Sequence, residues 1–295
     1  MNHPTAARLA NEAGLAGCQR QGLPRGWAAH TVWIALAILV FAPTIYWLWQ
    51  RWTMSVWHNI HGMFVPFIVA YFILEELRSH PIVEAEQSAW GFLFLIAGLG
   101  MMVLDSAIRT QLLSAFGMVV CLPGLSLLLL GRRRTQALAF VWVLAFFMLP
   151  IPAAFNERFL LLLRRISAVG AEQVIALFGV AVARVDTTLF LPIGPFPVVD
   201  ACAGFSPLYA SVTLALVLAY MNPSWPRRVV TLAAVFPITM VCNSLRIAFL
   251  GLVMLRWGIG PMKTALHPAS GMVAAIAGMA LLAFLGRVEK RGPAT

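Results

Sequence analysis

Residues 229–252 read VVTLAAVFPITMVCNSLRIAFLGL. A helix needs about 20 predominantly apolar residues to cross a hydrocarbon core roughly 30 Å thick, and this stretch exceeds that length. It carries one charged residue, Arg246. A guanidinium inside such a span is costly unless it faces a cavity or a partner. The stretch therefore settles two points together: the chain crosses a membrane, and something polar meets Arg246 there.

The whole sequence agrees. Of 295 residues, 61% are hydrophobic and only 11% charged, and the mean hydropathy is +0.85. A soluble domain carries about 25% charged residues, so the expected class is an all-α integral membrane protein. The net charge of +10 does not mark a nucleic-acid binder. The 21 lysines and arginines sit mostly in short clusters between apolar runs, without the basic face that such binders need.

Apolar windows predict eight spans, near 32–49, 60–77, 88–105, 112–131, 136–154, 203–221, 229–252 and 269–286. Residues 1–30 read as a mobile cytoplasmic tail, 31–286 as one transmembrane domain and 287–295 as a second cytoplasmic tail. The first apolar run starts near Val32, too late and too long for a cleavable signal peptide. With the N-terminus inside, cytoplasmic segments hold twelve basic residues: Arg8, Arg20, Arg25, Arg78, Arg132, Arg133, Arg134, Arg227, Arg228, Arg287, Lys290 and Arg291. The outer loops hold Arg51, Arg109, Arg256 and Lys263. That asymmetry places both termini inside.

Segment 155–201 differs from its surroundings. Residues 158–182 mix Arg, Glu and Gln with Leu at helical spacing, the pattern of an amphipathic helix in the outer interface. VDTTLFLPIGPFPVVDA follows, two β-branched or aromatic runs around Pro192-Ile193-Gly194-Pro195, which predict a short hairpin. That hairpin delivers the chain to Cys202.

Three capable side chains follow: Cys202 at the start of span six, Arg246 late in span seven, and His267 just before span eight. At 1.5 Å per residue, Arg246 stands roughly 26 Å up a helix that begins near Val229, so all three converge on the outer boundary. The helix N-terminus and Arg246 are expected to lower the Cys202 thiol pKa. His267 can move a proton near neutral pH, and Arg246 can stabilise an oxyanion or hold a carboxylate. Singly, each has a plain structural explanation: a packed thiol, a snorkelling arginine, a loop histidine beside Pro268. Together they fit cysteine-based acyl transfer. Two other readings stand beside it, a transporter or lipid-handling permease with Arg246 on an anionic group, and an assembly subunit of an envelope polysaccharide system.

Other candidates carry less. Cys18, Cys121, Cys202 and Cys242 show neither a CxxC pair nor metal spacing, so neither a metal nor a cofactor is expected. Cys242 lies one turn before Arg246 and can border its pocket. His58 and His61 have i, i+3 spacing but lack an acidic or thiol partner. Glu75 and Glu76 with Arg78 read as a solvated helix end, and Asp105 as a span boundary. The Trp-rich stretch 47–57 reads as an interfacial belt.

Asp200-Ala201-Cys202-Ala203-Gly204, Asn243-x-x-Arg246-Ile247 and His267 before a glycine together resemble the exosortase/archaeosortase family of membrane transpeptidases. His61-Gly62 with Val65-Pro66, Pro150-Ile151-Pro152 and the Ile193-Gly194 turn extend the likeness over roughly 32–286. The resemblance implies a multi-pass protein of the bacterial inner membrane with its active site on the periplasmic side. It implies a protease and transpeptidase that cuts a C-terminal sorting signal of Pro-Glu-Pro-like motif, transmembrane helix and basic end, often in bacteria that make exopolysaccharide. Cys202 then takes the nucleophile role, with Arg246 and His267 as its arginine and histidine. Asp200, Gly204, Ser206 and Asn243 are supporting positions. Three departures mark a divergent subtype: Asp200 replaces the usual glutamate, Ala203 replaces the usual serine, and Ser206 stands where an arginine is common. Asp200 keeps the carboxylate, and the loss of that arginine bears on substrate choice rather than on the catalytic trio.

Overall fold

The computed structural model describes residues 27–53, 60–79, 86–150, 153–199 and 202–287. Of the expected tails 1–30 and 287–295, residues 1–26 and 288–295 lie outside the described residues, as do His58, Ile151, Pro152 and Asp200. Residues Met1–Pro43 and Thr44–Thr295 form two compact units. Helix α1 (Trp27–Thr53) begins ahead of the expected span near Val32 and carries Pro43 within it. All the packing below belongs to the second unit.

The chain is an all-α membrane protein with one small sheet. Five helical stretches among the described residues are long and apolar enough to cross a membrane: Ile60–Ser79, Trp90–Ile108, Leu112–Leu129, Trp225–Trp257 and Leu266–Leu285. They comprise a 3-10 turn (Ile60–Met63) running into α2 (Val65–Ser79), then α3 (Trp90–Ile108) and α4 (Leu112–Leu129). After the short α5 (Arg132–Ala137), α6 (Ala139–Ala145), α7 (Ala153–Leu177) and α8 (Phe205–Met221) come α9 (Trp225–Trp257) and α10 (Leu266–Leu285).

Glycine decides how α3 meets α4. A Cβ at Gly98 would sit 2.5 Å from the Gly117 carbonyl oxygen, and one at Gly124 would sit 2.9 Å from the Gly91 carbonyl. Only bare backbones approach this closely, the usual route to tight helix pairs where lipid supplies no hydrophobic drive. Asp105 closes the connection between the two helices. It is buried, and it accepts hydrogen bonds from Thr110 Oγ1 at 2.5 Å and Ser114 Oγ at 2.7 Å. It is thus a boundary residue with a full set of partners.

The expected span at 136–154 is broken instead into α5, α6 and a 3-10 turn at Phe146–Met148. At the joint, the Trp142 indole N–H donates to the Thr135 carbonyl at 3.1 Å, and Thr135 Oγ1 bonds back to the Gly131 carbonyl at 2.9 Å. Side chains here compete with the helix ladder for backbone acceptors. Apolar content alone does not reveal this.

Segment 155–201 folds as an amphipathic helix followed by a sheet, and both extend beyond the sequence expectation. The α7 helix lies lengthwise along α9. Leu163 joins the apolar cluster of Val235 and Met240, a Cβ at Gly170 would strike Ser244, and Ile175 meets Gly251. Both helices therefore run in the same direction. At 33 residues α9 is about 50 Å long, well beyond a ~30 Å hydrocarbon core. Yet Val235, Met240, Ser244 and Gly251 all lie within the expected span 229–252, so α7 stands alongside that span instead of lying flat in the outer interface as expected. The hairpin becomes a three-stranded antiparallel sheet, β1 (Ala183–Val185), β2 (Thr188–Leu191) and β3 (Gly194–Pro197). Leu189 pairs with Arg184 on one side and Phe196 on the other. Gly194, at φ +135°, makes the second turn with a backbone that L side chains rarely adopt. Leu189 and Leu191 bury against Ile175, Ile247 and Ala248, in the same cluster as Cys202.

The basic clusters share the opposite end of the bundle from Cys202. Arg227 Nη1 donates to the Arg287 carbonyl at 3.1 Å, and Asn222 Nδ2 donates to the Gly286 carbonyl at 3.4 Å. Phe140, shortly after Arg132–Arg134, stacks on Tyr220 at 4.3 Å. Phe72, one turn before Glu76, meets Tyr220 edge-on at 5.4 Å.

Candidate active site

Cys202 is positioned by a turn. Its N–H donates to the Val199 carbonyl at 2.8 Å, and Gly204 caps α8 at φ +77°. A Cβ on Gly204 would meet the Asn243 amide carbon at 2.9 Å, so glycine is required both for the backbone angle and for the space. Asn243 then ties three elements together. Its Nδ2 donates to the Cys202 carbonyl at 2.8 Å and to Ser167 Oγ of α7 at 2.9 Å. All of these groups are buried.

His267 falls within the first turn of α10, not in a loop before it. Pro268 suits that turn, where a missing N–H costs little. Cys202 Sγ and His267 Nε2 stand 3.1 Å apart, joined across 65 residues of sequence. Arg246, 9% exposed, lies against the same turn. Its Nη2 donates to the His267 carbonyl at 3.3 Å and its Nε to Ser270 Oγ at 3.4 Å. Ser270 Oγ in turn donates to the His267 carbonyl at 2.8 Å. Gly271 makes room for the guanidinium, because a Cβ there would lie 3.0 Å from Arg246 Cζ.

The thiol environment departs from the sequence expectation. Cys202 sits three residues before α8 starts and is only 4% exposed. Burial pushes its thiol above the ordinary range, and the Arg246 guanidinium offsets only part of that shift. Desolvation of an anion outweighs one nearby cation here. The thiol is therefore protonated at rest, and His267 is the base within reach.

The structure brings together Cys202, Gly204, Asn243, Arg246 and His267. Ser206 stands half-buried in the first turn of α8, outside the hydrogen bonds that join the others. Cys242 borders a small void lined by Ser211, Thr239 and Asn243. Among the described residues no group of three possible metal ligands occurs. Sequence reasoning missed Ser167 and Ser270. Ser270 sits at i+3 from His267, a spacing that puts it on the same helix face. Ser167 is 76 residues from Asn243 and gives no local signal.

A catalytic cysteine needs a base within hydrogen-bond reach and a group that orients the base. The Cys202–His267 contact and the Arg246–Ser270 clasp on the His267 turn meet both needs. The family model described as transmembrane exosortase matches residues 49–284, which include every one of these residues. No curated protein and no solved structure matches the chain.

Proposed function

Because the chain belongs to the transmembrane exosortase family, we propose that it is a membrane-embedded cysteine transpeptidase that cuts the C-terminal sorting signal of exported proteins. The observation that carries this reading is the 3.1 Å approach of Cys202 Sγ to His267 Nε2, with Arg246 beside both.

The steps follow from that geometry. The Cys202 thiol gives its proton to His267 Nε2, and the thiolate attacks a backbone carbonyl of the signal. The new S–C bond forms as the carbonyl oxygen takes the negative charge, which the Arg246 guanidinium stabilises. The C–N bond then breaks, and His267 returns its proton to the leaving amine, giving a thioester on Cys202. An acceptor amine or water attacks the thioester, His267 takes its proton, and the thiolate leaves. Because the resting thiol is neutral, proton transfer accompanies attack, and the imidazole is needed in both halves.

Location follows the same reasoning. The basic clusters around Arg132–Arg134, Arg227, Arg228 and Arg287 gather at the end opposite Cys202. The positive-inside rule puts that end in the cytoplasm and the thiol on the periplasmic side of the bacterial inner membrane. Substrates are membrane-anchored proteins ending in motif, apolar helix and basic tail.

The test is Cys202→Ala with a co-expressed substrate of that design. Loss of processing with normal membrane insertion is expected, and unchanged processing overturns the cysteine mechanism.

A further inference from the structure

A threonine within a helix commonly bonds its hydroxyl back to the carbonyl one turn earlier. Thr213 of α8 does so, its Oγ1 donating to the Tyr209 carbonyl at 3.0 Å. Thr239 of α9 does not. It is 3% exposed, and its Oγ1 has no hydrogen-bond partner among the described residues. Such a hydroxyl is costly, because its hydration is lost on burial without replacement.

Thr239 lines a void of about 10 Å³ where α8, α9 and α10 meet, roughly the room of one water molecule. Gly271, Ala274, Ala275 and Gly278 close the void from α10, at a spacing that puts all four on one helix face. They offer it no side-chain hydrogen bond, and they let α10 come close. A Cβ at Gly271 would lie 3.0 Å from Arg246 Cζ, and one at Gly278 would lie 3.6 Å from Cys242 Sγ. The polar wall comes from the other two helices: Ser211 of α8, with Thr239 and Asn243 of α9, all buried. Thr239 and Asn243 stand one turn apart on the same face. Asn243 spends its Nδ2 protons on the Cys202 carbonyl and Ser167 Oγ, which leaves Oδ1, a pure acceptor. Two hydroxyls and an amide oxygen around a space of this size meet the needs of an ordered buried water, which makes about three bonds.

We infer that this junction binds one ordered water in an otherwise dry interior. The water accepts from the Thr239 hydroxyl and donates to Asn243 Oδ1 and Ser211 Oγ. Its role is to fix the amide. A flipped Asn243 would set Oδ1 against the Cys202 carbonyl, acceptor against acceptor, and a water donor at Oδ1 favours the orientation that supports the nucleophile turn. Thr239 and Ser211 are thus positioning residues that act on Cys202 through the water and Asn243. The consequence for catalysis rests on the transpeptidase reading, whereas the water site rests on the junction alone.

The experiment compares Thr239→Val, Thr239→Ser and Ser211→Ala in the full-length chain, by thermal unfolding in detergent and by kcat and KM for a reporter substrate. Valine has the shape of threonine and a similar helix propensity, without the hydroxyl. In a dry junction Thr239→Val removes an unsatisfied group, and the unfolding midpoint would hold or rise. With the water bound it removes a hydrogen bond, so the midpoint should fall. The same change should lower kcat about fivefold, the effect of one hydrogen bond on the order of the turn, with KM unchanged. Thr239→Ser should return kcat to within about twofold of unaltered enzyme. A midpoint that holds or rises in Thr239→Val overturns the water site; should that variant fail to insert, Ser211→Ala decides by the same criterion. A lowered midpoint with unchanged kcat, or no rescue of kcat by Thr239→Ser, overturns the positioning role. If unaltered enzyme leaves the reporter uncut, the transpeptidase reading fails, and the midpoints still decide the site.

Discussion

Asn243 holds the nucleophile turn by two donated bonds, one to the Cys202 carbonyl at 2.8 Å and one to Ser167 Oγ at 2.9 Å, all in a dry interior. Asn243→Ala removes both and leaves the Cys202 carbonyl unsatisfied. A buried hydrogen bond is worth about 1 kcal/mol net, and an orphaned buried acceptor costs about 1–3 kcal/mol. The local cost is therefore about 2–4 kcal/mol, a factor of roughly 30 to 1000 in the population of the ordered turn. Ser167→Ala removes one bond and spares the turn's own acceptor, so its cost is about 1 kcal/mol, near fivefold. Asn243→Asp should be the most severe of the three: it sets acceptor against acceptor and adds negative charge beside a group that must become a thiolate. The assay is single-turnover processing of a reporter substrate, with thermal unfolding in detergent to separate fold from function. The expected ranking of processing is wild type above Ser167→Ala, then Asn243→Ala, then Asn243→Asp. A folded Asn243→Asp enzyme that processes within about twofold of wild type would refute the claim that this amide positions Cys202.

Two further outcomes follow from the same site. The Cys202 thiol is raised by burial and held partly down by Arg246, so Arg246→Gln should raise it further. At any pH below both midpoints the thiolate fraction falls, alkylation by a neutral thiol reagent slows, and the rate–pH curve moves to higher pH; a curve unmoved or shifted down contradicts the assignment. Gly271→Ala places a Cβ 3.0 Å from Arg246 Cζ and should displace the guanidinium from the His267 turn. The expected outcome is a loss of kcat by about tenfold, with insertion and thermal stability nearly intact; unchanged kcat would show that the guanidinium's seat is unimportant.

The trio was legible because each member is expensive where it stands: Arg246 inside an apolar span draws attention wherever it occurs. Their convergence followed from span lengths and charge asymmetry, and the 3.1 Å contact across 65 residues agrees with it. What stayed hidden was of two kinds. Ser167 and Ser270 are ordinary residues whose importance lies only in what they touch. The thiol's state depended on a balance, and the sequence showed the cation without the burial that outweighs it. The broken segment at 132–148 was hidden for the same reason, since the bonds of Thr135 and Trp142 that interrupt it leave no trace in hydropathy.

Catalysis through a Cys202 thioester is tested most directly by trapping it. Unaltered enzyme, incubated with a substrate tail in the absence of an added acceptor amine and quenched in acid during turnover, should yield on mass spectrometry a Cys202 peptide bearing the clipped substrate as a hydroxylamine-sensitive adduct. An adduct on another residue, or steady processing in which no quench condition reveals an acyl group on Cys202, would contradict the mechanism.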